Sequence, residues 1–151
     1  MAWGAKDLFT ALGRIIMNKN VAVLKWSLLV GAIYFLGISL AHMMDIKLAG
    51  LFIYYNVPSF VYQNKIISFL CFGWSVFLFF AFLDPEKNIS LVKSILVAGT
   101  GAIIGLSIVN LTTDFNALSP KVNVHIYWFE TAILALYLFW LFVLYLKIKK
   151  R

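Results

Sequence analysis

The chain has 151 residues, 63% of them apolar and 13% charged, with a mean hydropathy of +0.92. A soluble domain is nearer about half apolar and about a quarter charged, so in so short a chain the apolar surplus has nowhere to go except lipid, and residues 1–151 read as a single membrane domain. The net charge of +7 does not mark a nucleic-acid binder, because the basic residues stand near the chain ends and between apolar runs, not in a stripe interleaved with exposed aromatics; anionic lipid headgroups are their expected partner.

The first twenty residues carry Leu8, Phe9, Leu12, Ile15 and Ile16 at helical spacing, with Lys6, Asp7, Arg14 and Lys19 among them and Trp3 at the front. That pattern predicts an amphipathic helix over 1–20 lying in the membrane interface. It does not read as a cleaved signal, because the apolar run behind it has full span length and no small-x-small site follows.

Residues 21–44 form the first predicted span. Lys25, at its start beside Trp26, has a stem long enough to reach the headgroups. From Trp26 to Met44 there is no formal charge, only His42 near the end.

The outer loop, 45–65, holds an uncharged run from Leu48 to Asn64 that is interrupted by Gly50, Asn56 and Pro58, and only Lys65 separates it from the next apolar run. A fifth span here would leave no room for a turn outside the membrane. The density of Tyr54, Tyr55, Phe60 and Tyr62 instead predicts an interfacial or re-entrant loop, its rings at headgroup depth.

The second span, 66–83, carries bulky rings on every side (Phe69, Phe72, Trp74, Phe77, Phe79, Phe80, Phe82), with Cys71 among them as a small hydrophobe. Asp84 to Asn88, containing Pro85, ends it. The third span, 94–113, holds Gly101 and Gly105, a small-xxx-small pair that lets helices approach closely. It is expected to pack within the bundle, to self-associate, or to meet another membrane subunit. After a polar connection through Pro120, the fourth span covers 126–147 with one acid, Glu130, near its start. The predicted fold is therefore an all-α, four-helix membrane bundle. Each run has the roughly 20 residues a span needs, and none alternates as a barrel strand does.

Lysine and arginine counts orient it. Lys6, Arg14, Lys19, Lys25, Lys87, Lys93, Lys147, Lys149, Lys150 and Arg151 fall on one side, and only Lys47, Lys65 and Lys121 on the other. The excess marks the cytoplasmic side. Both termini are therefore expected there, and a bacterial inner membrane is the default setting.

On the opposite, outer side, polar residues gather at one depth. His42 and Asp45 close the first span, Asn110 and Asp114 close the third, and His125 and Glu130 open the fourth, under the tyrosines of the loop. An acid inside a span is costly and is a functional hypothesis by default. His42, Asp45, Tyr54, Tyr55, Asn110, Asp114, His125 and Glu130 are the candidate ligand-binding residues. The same histidines and acids offer nitrogen and oxygen to a metal, although no HxxxH spacing supports one. No catalytic motif is present: no phosphate-binding glycine loop, nucleophile elbow, HExxH or CxxC. No cofactor is implied.

Three functions remain open. The first is an accessory or assembly subunit of a larger membrane complex, meeting its partners through the third span. The second is a binding or transport module for a lipophilic molecule, a lipid or a quinone, at the outer face. The third is a membrane-embedded enzyme handling a metal or protons.

Overall fold

The computed structural model describes the backbone of residues 5–149 and the side chains of residues 19–149. Trp3 and the amphipathic face of residues 8–16 lie outside the described side chains. The elements are α1 (Ala5–Met43), α2 (Val61–Leu83), α3 (Ile89–Thr112), α4 (Phe115–Leu118) and α5 (Val124–Lys149), with no strand among the described residues. Lys19–Met43 of α1 and the whole of α2, α3 and α5 are each long and apolar enough to cross a membrane. Even the shortest, α2 with 23 residues, is roughly 35 Å long against a hydrocarbon core of about 30 Å. The protein is a small integral membrane protein built as a four-helix bundle.

The expected surface helix over 1–20 is not a separate element. Residues from Ala5 onward continue unbroken into the first span as one helix of 39 residues. No proline interrupts this stretch, and the change from amphipathic to wholly apolar composition does not itself break backbone hydrogen bonds.

The other helices begin earlier than hydropathy places them, because polar residues at their ends satisfy free backbone groups. Gln63 reaches back so that its Oε1 accepts the N–H of Phe60 at 3.1 Å, and α2 starts at Val61 rather than 66. Between α2 and α3, the Asp84 carboxylate accepts the Lys87 N–H at 3.1 Å and pairs with its Nζ at 3.1 Å. The Asn88 amide donates to the Phe80 carbonyl at 3.1 Å, so α3 follows at once from Ile89. Hydrogen bonds from Lys87 hold the Asp84 carboxyl below its ordinary range.

The helices form a ring in the order α1, α2, α3, α5. Helix α1 packs against α2 and α5, and α3 against α5, whereas α2 and α3 meet only sparsely. Helix α2 is inside-out: it buries Asn64, Ser68, Ser75, Leu78 and Ala81 and turns Phe69, Phe72, Phe77, Phe79 and Phe80 outward. Lipid tails are as apolar as phenylalanine, so what must be hidden is the polar and small surface. Ser68 Oγ donates to the Ser39 carbonyl at 2.8 Å, and Ser75 Oγ to the Ala32 carbonyl at 2.8 Å. These bonds bring α1 and α2 into close contact along most of their length.

The glycines that matter for packing are not the expected pair. A Cβ at Gly31 would overlap the Tyr137 hydroxyl, which donates to the Ser27 carbonyl at 3.0 Å. A Cβ at Gly99 would lie 2.6 Å from Leu138 Cδ1. Gly101 and Gly105, by contrast, have open space where their side chains would be. Two residues beyond Gly99, Gly101 is turned roughly 200° around the helix, away from α5. The pair therefore does not carry packing within the bundle.

Leu24, Leu28, Leu78, Ala81, Val92, Ile95, Leu141 and Leu144 form the hydrophobic core. All belong to the half of the bundle that ends in the C-terminus and the α2–α3 connection, called here the terminal half. The opposite, loop half is built differently.

Candidate functional site

The site begins with the segment between α1 and α2, which turns back into the bundle instead of passing over it. Asp45 (φ 54°) and Gly50 (φ 84°) adopt left-handed backbone, which reverses the chain direction after α1. At Gly50 the backbone is held at both its polar groups. Its N–H donates to Glu130 Oε1 at 2.8 Å, and its carbonyl accepts from the Tyr34 hydroxyl at 2.8 Å. Tyr34 lies nine residues before the end of α1, roughly 13 Å along its axis, so the loop dips well below the helix ends.

Beyond Gly50 the loop supplies the aromatic cap that its composition predicts, but by pointing rings inward. Phe52 is buried and stacks on His42, with ring centroids 3.6 Å apart and planes at 20°. Tyr54 stacks on Phe115 of α4 at 5.3 Å and meets Tyr127 of α5 edge-on at 5.0 Å. Its hydroxyl donates to Asn110 Oδ1 at 2.9 Å, and Asn110 Nδ2 donates to Thr131 Oγ1 at 3.1 Å. Thr131 in turn donates to the Tyr127 carbonyl at 2.8 Å. One chain of hydrogen bonds thus ties the loop to α3 and α5. Asn56 Nδ2 adds a bond of 3.1 Å to the Lys121 carbonyl in the opposite loop. Burial, and then the neighbouring Tyr127, push the Tyr54 phenol up to about 12, so it stays a hydrogen-bond donor at neutral pH.

The eight candidate residues divide. Tyr54, Asn110 and Glu130 form the ties between loop and bundle, with Tyr55 half-buried in the same loop. His42 is only 7% exposed and packs beneath Phe52. Asp45 accepts from Asn64 Nδ2 at the head of α2. Asp114 instead caps α4, accepting the Ala117 N–H at 3.2 Å, and His125 is exposed at the start of α5. Neither joins the others. Among the described residues no group of three or more His, Cys, Asp or Glu side chains could hold a metal ion, so the nitrogen and oxygen donors that His42, Asp45, His125 and Glu130 offer are not brought together as a ligand set.

Several residues that build this arrangement were not among the candidates. Tyr34, Thr131 and Tyr127 lie inside spans, and Gly50 and Phe52 inside the loop. Their only sequence signal is a polar tip in an apolar run, or a glycine in an aromatic one, and neither is specific.

Next to the loop lies a cavity of about 660 Å³. Its walls are Tyr34, Phe35, Ile38 and His42 of α1, Leu51 to Tyr54 and Val57 to Ser59 of the loop, Gln63, Asn64, Ile66, Ile67 and Cys71 of α2, Leu106 and Val109 of α3, and Thr113, Phe115 and Leu118 after it. Ile66 and Val109 of the lining are exposed, as are Pro58, Ser59 and Gln63 toward the loop, so the cavity is not sealed. No Lys, Arg, Asp or Glu lines it. The polar residues of its lining are Tyr34, His42, Tyr54, Ser59, Gln63, Asn64 and Thr113.

Among the described residues, three buried side-chain atoms lack a hydrogen-bond partner: His42 Nδ1, Tyr127 Oη and Glu130 Oε2. Buried polar atoms are nearly always satisfied, and all three of these lie in the loop half. The arrangement can enclose and orient an apolar molecule. It presents no nucleophile paired with a base. In comparisons with protein families, with characterised proteins and with solved structures, this chain shows no match.

Proposed function

We propose that this protein binds a lipophilic molecule, a lipid or a quinone, in the cavity beside its re-entrant aromatic loop. The observation that carries this reading is the cavity itself: about 660 Å³, mostly apolar in its walls and with exposed residues of α2 and α3 among its lining. Pockets for small ligands run from about 300 to 1,000 Å³ and combine apolar walls with a few placed polar groups. Entry between α2 and α3, which meet only sparsely, lets a molecule already dissolved in the bilayer reach the cavity without crossing water. The loop, tied by Gly50–Glu130 and Tyr54–Asn110, acts as the cover.

The ten-to-three asymmetry of Lys and Arg supports cytoplasmic termini. In that orientation the cavity faces the outer leaflet, of a bacterial inner membrane in the default setting.

The test is mass spectrometry of small molecules that co-purify with the protein from a gentle detergent. A stoichiometric lipophile is expected in the wild type, and it is lost in Val109→Trp, which fills the cavity from α3. Equal ligand content in wild type and Val109→Trp sinks the reading.

A second reading has its own observation. Gly101 and Gly105 stand on an open face of α3, and α2 turns its phenylalanines outward. These uncovered faces support association with a second copy or with another membrane subunit, and so an accessory or assembly role. Gly101→Ile is then expected to dissociate the assembly on native gels while leaving bound lipophile unchanged; an assembly that survives Gly101→Ile counts against this interface.

A further inference from the structure

Beyond the cavity of the loop half, we propose a second site in the terminal half: a groove between α1 and α5 that seats one anionic phospholipid, its phosphate beside Lys19. The groove encloses about 470 Å³, and its walls include Lys19, Ala22, Trp26 and Val30 of α1 and Trp140 of α5, with Ser27 between the helices. The α1 positions recur at steps of three and four, one face of a helix. Trp26, Val30 and Trp140 are exposed, so the groove faces out of the bundle. Its inner polar groups are already used. The Trp140 Nε1–H donates to Ser27 Oγ at 3.0 Å, and the Tyr137 hydroxyl donates to the Ser27 carbonyl at 3.0 Å. What is left for a ligand is hydrocarbon wall and the Lys19 ammonium, which forms no ion pair among the described residues.

Length and charge name the occupant. Lys19 is the first residue of its span, and Val30 stands near the middle of it. The rise from Lys19 to Val30 is roughly 16 Å, half of a hydrocarbon core of about 30 Å. The groove therefore has the depth of one leaflet, which a lipid chain fills, whereas a partner helix crossing the membrane calls for a face that continues through both. The Ser27–Trp140 bond also sets the register of these antiparallel helices. Measured from it toward the termini, Lys19 and Lys147 lie roughly 12 Å and 10 Å away, at nearly one depth. Trp140 and Lys147 are two turns apart and share a face of α5, and Lys147 is exposed at the end of that span. Two ammonium groups at headgroup depth, one on each helix, call for an anion. A phospholipid of net negative head supplies the anion and the chain together; a zwitterionic head leaves the two cations without a net counter-charge.

The test is native mass spectrometry of the full chain titrated in detergent with dioleoyl phosphatidylglycerol or dioleoyl phosphatidylcholine, which share their chains and differ in head charge. One phosphatidylglycerol is expected to bind about tenfold more tightly than phosphatidylcholine. Lys19→Gln and Lys147→Gln should each weaken phosphatidylglycerol about fivefold, the worth of one lysine at the membrane surface, and leave phosphatidylcholine unchanged. Lys93→Gln removes the same charge from α3, which does not line the groove, and should leave both lipids unchanged. Ala22→Trp fills the groove from an exposed position and should abolish binding of both. Val109→Trp, in the cavity of the loop half, should leave phosphatidylglycerol in place, so that this site and the lipophile-binding reading stand or fall separately. Equal affinity for the two lipids, or a loss in Lys93→Gln as large as in Lys19→Gln, overturns the proposal. So does phosphatidylglycerol binding that survives Ala22→Trp or disappears in Val109→Trp. A doubled protein mass that Ala22→Trp removes assigns the groove to a second copy of the chain and overturns it too.

Discussion

The two halves of this bundle hold together by different means. In the terminal half, Leu24, Leu28, Leu78, Leu141 and Leu144 are fully or almost fully buried and interlock around Ala81 and Val92. Polar groups sit at its edge, as Lys25 does over the Phe82 ring at 5.1 Å. In the loop half, buried leucines give way to a re-entrant segment, a chain of side-chain hydrogen bonds and a cavity. Helices in lipid gain little from the hydrophobic effect and associate mainly through close packing and hydrogen bonds. The terminal half uses packing, which is unspecific in chemistry and tolerates no gap. The loop half uses polar ties, which hold a few points firmly and leave space between them. Elements that bind or open are drawn from the less densely packed parts of a fold, and the loop half is that part here.

Substitutions can break or sharpen this contrast. The largest effect is expected from Gly31→Leu, which drives a side chain into Tyr137 and displaces its hydroxyl from the Ser27 carbonyl. A loss of about 3 kcal/mol, read by reversible unfolding in mixed micelles, is expected, with the two spans α1 and α5 separating first. Leu78→Ala, at a position 1% exposed, should cost about 2 kcal/mol through the cavity it leaves, the transfer term being small in lipid. Its counterpart in the loop half is Ile67→Ala, which lines an existing cavity and should stay within about 0.5 kcal/mol. Equal losses at Leu78 and Ile67 would erase the distinction between the halves.

Asn110→Leu removes the middle of the Tyr54–Asn110–Thr131 chain and is expected to cost about 1 kcal/mol. Its clearer signature is local: hydrogen exchange of residues 48–56 should accelerate while α1 and α2 near Leu28 and Leu78 stay protected. Uniform acceleration would mean that the loop and core unfold as one unit.

The smallest expected effect is spectroscopic. Burial raises Tyr54 from the ordinary phenol value of 10.0 to about 12. The neutral form is the one the fold favours, so its contribution is complete below the ordinary value and is lost as pH rises through about 12. The ultraviolet tyrosinate difference between wild type and Tyr54→Phe should therefore appear only near the top of that window. A tyrosinate signal at the ordinary value would place Tyr54 in water and dissolve the tie.

Much of the bundle was legible in the primary structure. Four apolar runs of span length, Pro85 and Pro120 in the connections, and the interrupted run containing Gly50 and Pro58 were enough to place four helices and a loop between the first two. Those readings rest on transfer of side chains from water to lipid, which each residue expresses independently of its neighbours. The ends of α2, α3 and α5 were less legible, because Gln63, Asp84 and Asn88 extend or close helices through specific hydrogen bonds that hydropathy does not register.

Composition and spacing determined that the chain is a membrane bundle, and predicted an aromatic segment at one end with polar residues beneath it. Tertiary structure alone decided which of those residues meet. It joined Gly50 to Glu130 and Tyr54 to Asn110, turned Asp114 to capping α4, left His125 at the surface, and set Gly101 and Gly105 outward while Gly31 and Gly99 took the close contacts. The physical reason is rotational. A span's length and depth follow from its summed hydropathy, but which face of each helix meets its neighbour depends on how side chains interlock across the whole bundle, and in lipid the apolar residues exert almost no preference among those faces.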